Sequence, residues 1–198
     1  MSDAGPPQGA KAPSGGSAAH EVASVGANSA APIQWHTVWQ LGDDVDTDAL
    51  APGAYMQLGV EGIAPHCLEN LVPAFAREVR PGDVIVAGRN FGIGSSREQA
   101  AAVLVHLGVA AVIAPSYGGL FFRNAFNLGL LLLTCPDAPA LHGQADVAIE
   151  RTPLQLRRRD GAAVACEPVP DFLLAMAHAG GLLPQLRQRL AAQPSSRL

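Results

Sequence analysis

Residues 89–99, RNFGIGSSREQ, lie between a strand-like run, VIVAG, and a helix-like run, AAAVLVHLG. Two glycines in this segment permit unusual backbone dihedrals and close approach by other groups. A helix that begins near Ser95 or Ser96 would direct unpaired N–H groups and a partial positive charge at the same place. Together with two hydroxyls and the Arg97 guanidinium, this arrangement predicts a site for a compact anion.

Apolar runs and helical patterns alternate around this segment. After the turn residues PGD at 81–83 come the strand VIVAG, the glycine-rich loop, a helix to about Leu107, the strand AAVIAP, a helix in LFFRNAFNLG and the strand LLLLTC. Short apolar strands separated by helices favour an α/β fold with a mainly parallel, buried sheet and right-handed crossovers. Upstream, residues 33–41 are rich in β-forming side chains and predict a further strand.

The flanking regions carry weaker patterns. Residues 67–79 have apolar side chains near a helical period with Pro73 among them, which predicts one kinked helix or two short ones. In the last third, short β-like runs surround a turn at Asp160 and Gly161, as in a hairpin, and indicate a second β layer. Asp171 is a candidate cap for a helix in DFLLAMAHA, which two following glycines would end.

The composition separates a tail from a domain. Of the 198 residues, 48% are hydrophobic and 15% are charged, which is typical of a globular chain. Residues 1–32 are rich in Ala, Gly, Ser and Pro and cannot bury enough apolar area to offset the entropy of ordering. We therefore expect a disordered tail over residues 1–32, without the features of a targeting signal, and one domain over residues 33–198.

Charge and hydropathy argue against several classes of function. The net charge of −4 gives no general attraction to nucleic acid or to an anionic membrane. The run LGLLLL is much shorter than the roughly 20 residues that span a bilayer. Cys67, Cys135 and Cys166 are far apart without CxxC spacing, so neither a disulfide framework nor a metal site within this chain is expected. These features predict a soluble, cytoplasmic protein with buried thiols.

Four aspartates crowd the segment GDDVDTD, residues 42–48. Three of them match the opening of an EF-hand loop, but Ala49 stands where the sharp-turn glycine belongs and Tyr55 where the closing glutamate belongs, which argues against calcium. Two interpretations remain open. The carboxylates serve acid–base chemistry or orient a histidine, or they are solvated aspartates in a turn.

The anion site also has a structural alternative, in which the glycines make a tight turn and a serine caps the helix. The segment completes neither GxxxxGK[ST] nor GxGxxG, which argues against a nucleotide. A small carboxylate fits better, because Arg97 can make a two-pronged contact with it. Hydrogen-bond donors around a serine would also stabilise its alkoxide, the form that abstracts a proton.

Three segments together resemble, in order, the small subunit of 3-isopropylmalate dehydratase (isopropylmalate isomerase) and, more distantly, the swivelling domain of aconitase. They are GDDVDTD, PGDVIVAGRNFGIGSSREQA and AVIAPSYGGLFFRNAFNLGLLLL, within about residues 40–134. The resemblance implies a β/β/α swivelling domain and reversible dehydration of a hydroxy-polycarboxylic acid, as in leucine biosynthesis. It also implies a large-subunit partner, in a heterodimer or heterotetramer, that carries a [4Fe–4S] cluster. This chain alone is expected to bind neither a metal nor a cofactor.

The resemblance also implies roles for individual residues. Ser95 matches the base that takes the proton from the carbon next to a carboxylate. The residues that match substrate-binding positions are Thr47, Asp48, Gly92, Gly94, Ser96 and Arg97. By this resemblance Ser96 and Arg97 bind the substrate carboxylate, Thr47 and Asp48 line the site, and the two glycines keep the loop open.

One segment departs from the family's pattern. Small subunits often read PARYL after the aspartate turn, whereas residues 52–58 read PGAYMQL. Tyr55, Met56 and Gln57, candidate substrate-binding residues in this segment, offer no fixed positive charge. Their character argues against a third carboxylate and favours an apolar or small substituent, as in 3-isopropylmalate or a related alkylmalate. The alternative function is a non-catalytic, carboxylate-binding or regulatory module that keeps the swivelling fold.

Overall fold

The computed structural model describes residues 33–192, and the strands within that range form one hydrogen-bonded sheet. The predicted tail, residues 1–32, lies outside the described residues, as do residues 193–198. The strands are β1 (Trp35–Gln40), β2 (Val84–Val86), β3 (Ala111–Ala114), β4 (Leu131–Thr134), β5 (Asp146–Arg151), β6 (Leu154–Arg157) and β7 (Ala163–Ala165). Their order across the sheet is β4-β3-β2-β1-β5-β6-β7, which places β1 at the centre.

The strands from β1 to β4 pair in parallel and follow the predicted βαβαβ order. Every residue of β2 and β3 is buried, which explains why their sequences are apolar without interruption. Successive side chains of a strand point to opposite faces. Val84 and Val86 therefore enter one buried cluster, while Ile85 enters another.

The strands β5, β6 and β7 continue the sheet in antiparallel pairs. β1 joins the two halves, because its first three residues pair with β5 and its last three pair with β2. The predicted hairpin lies between β6 and β7, where Gly161 has a φ of 87°. The sheet curls until the Glu167 N–H donates to the Thr134 carbonyl (2.8 Å), so the chain after β7 meets the end of β4.

The curled sheet produces two β layers and one helical layer. Side chains from both halves share one buried cluster, which includes Ile113 of β3, Val147 of β5 and Leu156 of β6. The opposite face of the parallel half packs against helices through a second cluster, which includes Leu104 and Phe126. The predicted β/β/α architecture is confirmed, with parallel pairing in the first layer and antiparallel pairing in the second.

The helices connect and cover the parallel half of the sheet. They are α1 (Thr47–Leu50), α2 (Gly59–Ile63), α3 (Phe75–Glu78), α4 (Gln99–His106), α5 (Gly119–Asn127), α6 (Asp171–Ala179) and α7 (Leu182–Ala192), with 3-10 turns at Gly53–Leu58, Ala64–His66 and Ala138–Leu141. None of the helices within residues 33–192 has the length and apolar character needed to cross a membrane.

Two helices differ from the prediction in where they begin. The segment 67–79 is α-helical only over Phe75–Glu78, and Leu68 near its start has a φ of 57° that no right-handed helix contains. The helix predicted in DFLLAMAHA begins at Asp171 itself, without a side-chain cap. Its end is as predicted, because Gly180 takes the left-handed conformation that commonly terminates helices.

Candidate active site

Three loops meet at the carboxyl ends of β1, β2 and β3, where ligands of open parallel sheets commonly bind. They contain the segments GDDVDTD, RNFGIGSSREQ and PSYGG. The Thr47 N–H donates to the Ile93 carbonyl (2.8 Å) and joins the first loop to the second. The Phe91 N–H donates to the Ser116 carbonyl (3.1 Å) and joins the second loop to the third. Segments separated along the chain are thus brought together as one unit.

The aspartates of the first loop hold this unit together. Asp43 accepts a hydrogen bond from the Arg89 N–H (2.7 Å), and Asp44 accepts one from the Asn90 side chain (2.8 Å). Asp46 caps α1. No histidine among the described residues hydrogen-bonds to these three carboxylates. The structure therefore favours the turn interpretation for them over orientation of a histidine.

The second loop extends further than predicted, because α4 begins at Gln99 rather than near Ser95 or Ser96. The Ser95 N–H donates to the Thr47 hydroxyl oxygen (3.1 Å), and the Ser96 carbonyl accepts from the Asn124 side chain (3.2 Å). These bonds fix the backbone of both serines, whose side chains face solvent. An anion at this place would be held by side chains rather than by the helix N-terminus.

Ser95 Oγ lies between two potential donors. Arg97 Nε donates to it (2.7 Å), and Thr47 Oγ1 lies 3.2 Å away. Thr47 is almost fully buried, and its oxygen already accepts the Ser95 N–H, so its hydroxyl proton can point to Ser95 Oγ. Hydrogen bonds and a cation favour the charged form of an acidic group, so this arrangement stabilises a serine alkoxide.

Arg97 is fixed by contacts on two of its nitrogens. Nη1 donates to Asp48 Oδ1 and to the Ala51 carbonyl, both at 2.7 Å, while Nε binds Ser95. The guanidinium, together with the Gly53 N–H, holds the pKa of the Asp48 carboxyl below its usual value. Within residues 33–192, Nη2 makes no hydrogen bond. It is therefore the atom through which Arg97 can contact a carboxylate.

The glycines of the site permit close packing. Gly92 has a φ of 76°, and a Cβ there would lie 2.2 Å from Cγ of Phe121. Gly94 has a φ of 107°, and a Cβ there would lie 3.1 Å from Thr47 Oγ1. Gly118 approaches the Gly92 carbonyl so closely that a Cβ would lie 2.4 Å from its oxygen. Gly92 is thus buried in a contact between loop and helix. The expected role of both glycines in keeping the loop open stays a prediction.

Tyr55, Met56 and Gln57 lie on the 3-10 turn Gly53–Leu58, next to the site rather than in it. The Tyr55 ring stacks on His66, with ring centroids 3.5 Å apart. Met56 is half-buried and Gln57 is exposed. Neither Ser95 nor Arg97 hydrogen-bonds to these side chains in the described structure. The turn reaches the site only at its start, beside Asp48.

Two contributors to the site were missed by sequence reasoning. The Ala51 carbonyl fixes Arg97, and the Asn124 side chain fixes the backbone of Ser96. Every residue has a backbone carbonyl, so the residue type of Ala51 could not indicate this contact. Asn124, however, lies in the segment FRNAFN that supports the family resemblance, and an amide there was the available signal.

The groups around Ser95 suit an anionic oxygen rather than a metal. They are hydroxyls and a guanidinium, which donate hydrogen bonds. No thiolate, the usual ligand of an iron–sulfur cluster, is among them. Within residues 33–192, no group of three or more His, Cys, Asp or Glu side chains is placed to hold a metal ion.

Comparisons with known proteins identify the family of this chain. The family model described as the Aconitase C-terminal domain matches residues 69–138, which include the second and third loops. The 3-isopropylmalate dehydratase small subunit 1 of Archaeoglobus fulgidus is 41% identical over 156 residues, which cover 76% of this chain and 97% of that protein. This chain belongs to the 3-isopropylmalate dehydratase small-subunit family. The family predicted from the sequence is confirmed.

Two further relatives and one solved structure are similar to this chain over a comparable length. The small subunit from Thermodesulfovibrio yellowstonii is 39% identical over 159 residues, which cover 79% of this chain and 95% of that protein. The methanogen homoaconitase small subunit of Methanothermobacter thermautotrophicus is 43% identical over 148 residues, which cover 74% and 86% respectively. The crystal structure of a Methanocaldococcus jannaschii 3-isopropylmalate dehydratase aligns with a TM-score of 0.72 at 35% identity, over 79% of this chain and 95% of that one. The α/β fold class is confirmed, while the roles of individual residues stay predictions.

Proposed function

We propose that this chain is the small subunit of a two-subunit hydro-lyase in leucine biosynthesis, acting on 3-isopropylmalate or a related alkylmalate. In this proposal it supplies the base and a carboxylate-binding cation. The observation that carries the proposal is the position of Ser95 Oγ, 2.7 Å from Arg97 Nε and 3.2 Å from Thr47 Oγ1. Family membership supports the reaction class, and this geometry supports the assignment of residues.

Ser95 is proposed to take the proton from the carbon next to a substrate carboxylate. A serine hydroxyl is a weak base unless its alkoxide is stabilised. The Arg97 guanidinium and the Thr47 hydroxyl supply that stabilisation from two sides. The side chain of Ser95 is exposed, so a substrate can reach it. In the reverse direction the same Oγ–H returns the proton.

Arg97 is proposed to bind the carboxylate through Nη2, with the Ser96 hydroxyl as a second donor. A guanidinium held in place loses little further entropy when it binds. Asp48 then acts as a positioning residue, because a carboxylate in direct contact with the substrate carboxylate would repel it. Its hydrogen bonds to Arg97 and to the Gly53 N–H fix the guanidinium in this orientation.

The large subunit is proposed to carry a [4Fe–4S] cluster, since the groups at this site are hydrogen-bond donors rather than iron ligands. When bound, the cluster supplies a Lewis acid that assists departure of the substrate hydroxyl. The present chain orients the carboxylate and accepts the proton. Neither subunit would be active alone.

The turn that follows the site supports an apolar substituent on the substrate. Residues 53–58 contain no Lys or Arg, and Ala54 stands in place of the arginine that the family often has. A third carboxylate would therefore lack a cation at this turn. This favours an alkylmalate over the tricarboxylate that the name of the homoaconitase relative suggests for that protein.

The proposal is tested by co-expression with a candidate large subunit and anaerobic reconstitution. Formation of the unsaturated dicarboxylate from 3-isopropylmalate is followed by its absorbance. We expect turnover only with both subunits present, and at least tenfold lower kcat/KM for a tricarboxylate analogue.

The variant Ala54→Arg provides a matched control for specificity, because Ala54 is exposed and can take a longer side chain that adds a cation to the turn. It should raise kcat/KM for the tricarboxylate by about tenfold without a comparable gain for 3-isopropylmalate. If reconstituted pairs never turn over either substrate, while the isolated chain binds dicarboxylates tightly by calorimetry, the chain is a binding module and the proposal is wrong.

A further inference from the structure

Two cysteines that are distant in the sequence lie side by side where the curled sheet closes. Cys135 follows β4 directly and Cys166 follows β7 directly, and these are the two edge strands of the sheet. Their Sγ atoms are 3.1 Å apart. A disulfide bond is about 2.05 Å long, so a shift of roughly 1 Å in the two side chains would suffice to form one.

The two thiols have different surroundings. Cys135 is fully buried, and its one S–H can donate either to the Ala165 carbonyl oxygen or to the Cys166 sulfur, each 3.1 Å away. Cys166 is partly exposed and lines a cavity of about 450 Å³. The cationic side chain Arg151 lines the same cavity, together with His178. A small disulfide reagent can therefore enter from solvent and reach Cys166 but not Cys135.

The hydrogen bond between the two thiols also makes Cys166 the more reactive of the two. It lowers the pKa of the Cys166 thiol, because Cys135 donates to the thiolate form. The same bond, with burial, raises the pKa of the Cys135 thiol. Thiolates rather than thiols attack disulfides. Cys166 is thus the attacking group, and Cys135 is the group that resolves the intermediate.

We propose that Cys135 and Cys166 form a reversible redox site, in which oxidation by a low-molecular-weight disulfide ties the two edges of the sheet together. This site lies in the β/β layers and does not depend on the proposed catalytic role of Ser95.

The exchange proceeds in two balanced steps. The Cys166 thiolate attacks the reagent RSSR, which forms a mixed disulfide and releases one RS⁻. Cys135 then loses its proton and attacks the Cys166 sulfur, which forms the intramolecular bond and releases the second RS⁻. The protein loses two electrons, and the reagent is reduced to two RSH. A dithiol reductant reverses both steps.

The bond would stabilise the folded chain. It would join residues 31 apart in sequence and reduce the conformational freedom of the unfolded state. We expect the Tm of the oxidised protein to rise by on the order of 10 °C.

The test uses the full chain, folded and free of reductant, incubated with oxidised glutathione. Remaining thiols are alkylated after denaturation, and the protein is analysed by mass spectrometry and peptide mapping. We expect a mass about 2 Da below that of the reduced protein before alkylation, a peptide that links Cys135 to Cys166, and a single residue, Cys67, that takes up the alkylating reagent. Cys67 is the internal control, because it is fully buried and burial raises its pKa.

Two variants distinguish the attacking thiol from the resolving thiol. Cys135→Ala should retain glutathione on Cys166 as a stable mixed disulfide, and Cys166→Ser should take up none in the folded state. Both variants are checked for folding by circular dichroism, and wild-type protein alone decides the outcome if either fails. The proposal is overturned if folded wild-type protein forms no link between Cys135 and Cys166, or if dithiothreitol does not restore both thiols.

Discussion

Two Arg–Asp pairs, one in each half of the sheet, are similar in chemistry and different in surroundings. Arg159 donates to both oxygens of Asp146 at 2.8 Å, on the surface of the antiparallel half, and lies over the Trp35 ring. Arg97 donates to Asp48 at 2.7 Å, at the carboxyl ends of the parallel strands. In each pair the guanidinium lowers the pKa of the aspartate.

The difference between the pairs lies in the third group that each arginine contacts. Arg159 covers an aromatic ring, whereas Arg97 reaches a serine hydroxyl through Nε. Exposed ion pairs contribute little to stability, with a median of about 0–1 kcal/mol. In the proposed mechanism, one Arg–Asp pair lies on the surface of the antiparallel half, while the other positions the reactive Ser95. The parallel half of the sheet makes this contact with Ser95 possible, because the loop that contains Asp48 and the loop that contains Arg97 meet at the carboxyl ends of its strands.

Replacing the two arginines should give the largest difference in activity between the two pairs. Arg97→Ala removes both the cation beside Ser95 and the carboxylate contact, so we expect kcat/KM of the reconstituted enzyme to fall by about 10³-fold or more. Arg159→Ala should change it less than twofold, because that side chain lies in the other layer. Equal losses in the two variants would contradict the assigned role of Arg97. Steady-state kinetics on the two-subunit enzyme decides between these outcomes.

Two glycines with similar dihedrals provide the next comparison. Gly92 and Gly161 have φ values of 76° and 87°, but an added Cβ meets Phe121 at Gly92 and nothing within 4 Å at Gly161. We expect Gly92→Ala to lower the free energy of unfolding by about 3 kcal/mol or more, and Gly161→Ala by about 1 kcal/mol. Denaturant titration measures both. A difference below 1 kcal/mol would show that the loop does not need this close packing.

Neutralising the two aspartates should give a smaller difference in kcat/KM between the two pairs. Asp48→Asn keeps the shape of the side chain but weakens its hold on Arg97, so we expect a decrease of about tenfold in kcat/KM. Asp146→Asn should leave kinetics unchanged. If Asp48→Asn has no effect, the pair does not position Arg97.

The pH dependence of stability provides the control for these two variants. Because the pKa of each aspartate is lower in the folded state than the usual value of 3.8, each pair stabilises the fold above that value. This contribution is lost as the pH falls through the lowered pKa. The difference in Tm between wild type and either variant should therefore be present at pH 7 and disappear as the pH falls through the lowered pKa of the aspartate.

Much of the fold was predictable because its signals are local. Apolar runs, a glycine-rich loop and helical periodicity identified the parallel strands and their order along the chain. The curl of the sheet was not predictable, because it depends on the pairing of β1 with two distant strands. The neighbouring positions of Cys135 and Cys166 follow from that curl and were missed for the same reason.

The candidate site was likewise predictable only in part. The segment with Ser95 and Arg97 could be identified, since its residue types and family resemblance are local properties. The start of α4 was misplaced, because the Thr47 hydroxyl, 48 residues away, takes the Ser95 N–H that a helix start would have left unpaired. The positions of Tyr55 and Gln57 beside the site likewise depend on packing against His66 and on a turn that no local signal specifies.

The role of Ser95 as the base is tested most directly by proton exchange. The reconstituted two-subunit enzyme is incubated with the substrate in D₂O, and deuterium at the carbon next to the carboxylate is followed by NMR. Ser95→Ala should lose turnover and exchange together, by about 10³-fold, while Tm and substrate affinity stay close to wild type. If Ser95→Ala exchanges the proton at the wild-type rate, another group is the base and the central assignment is wrong.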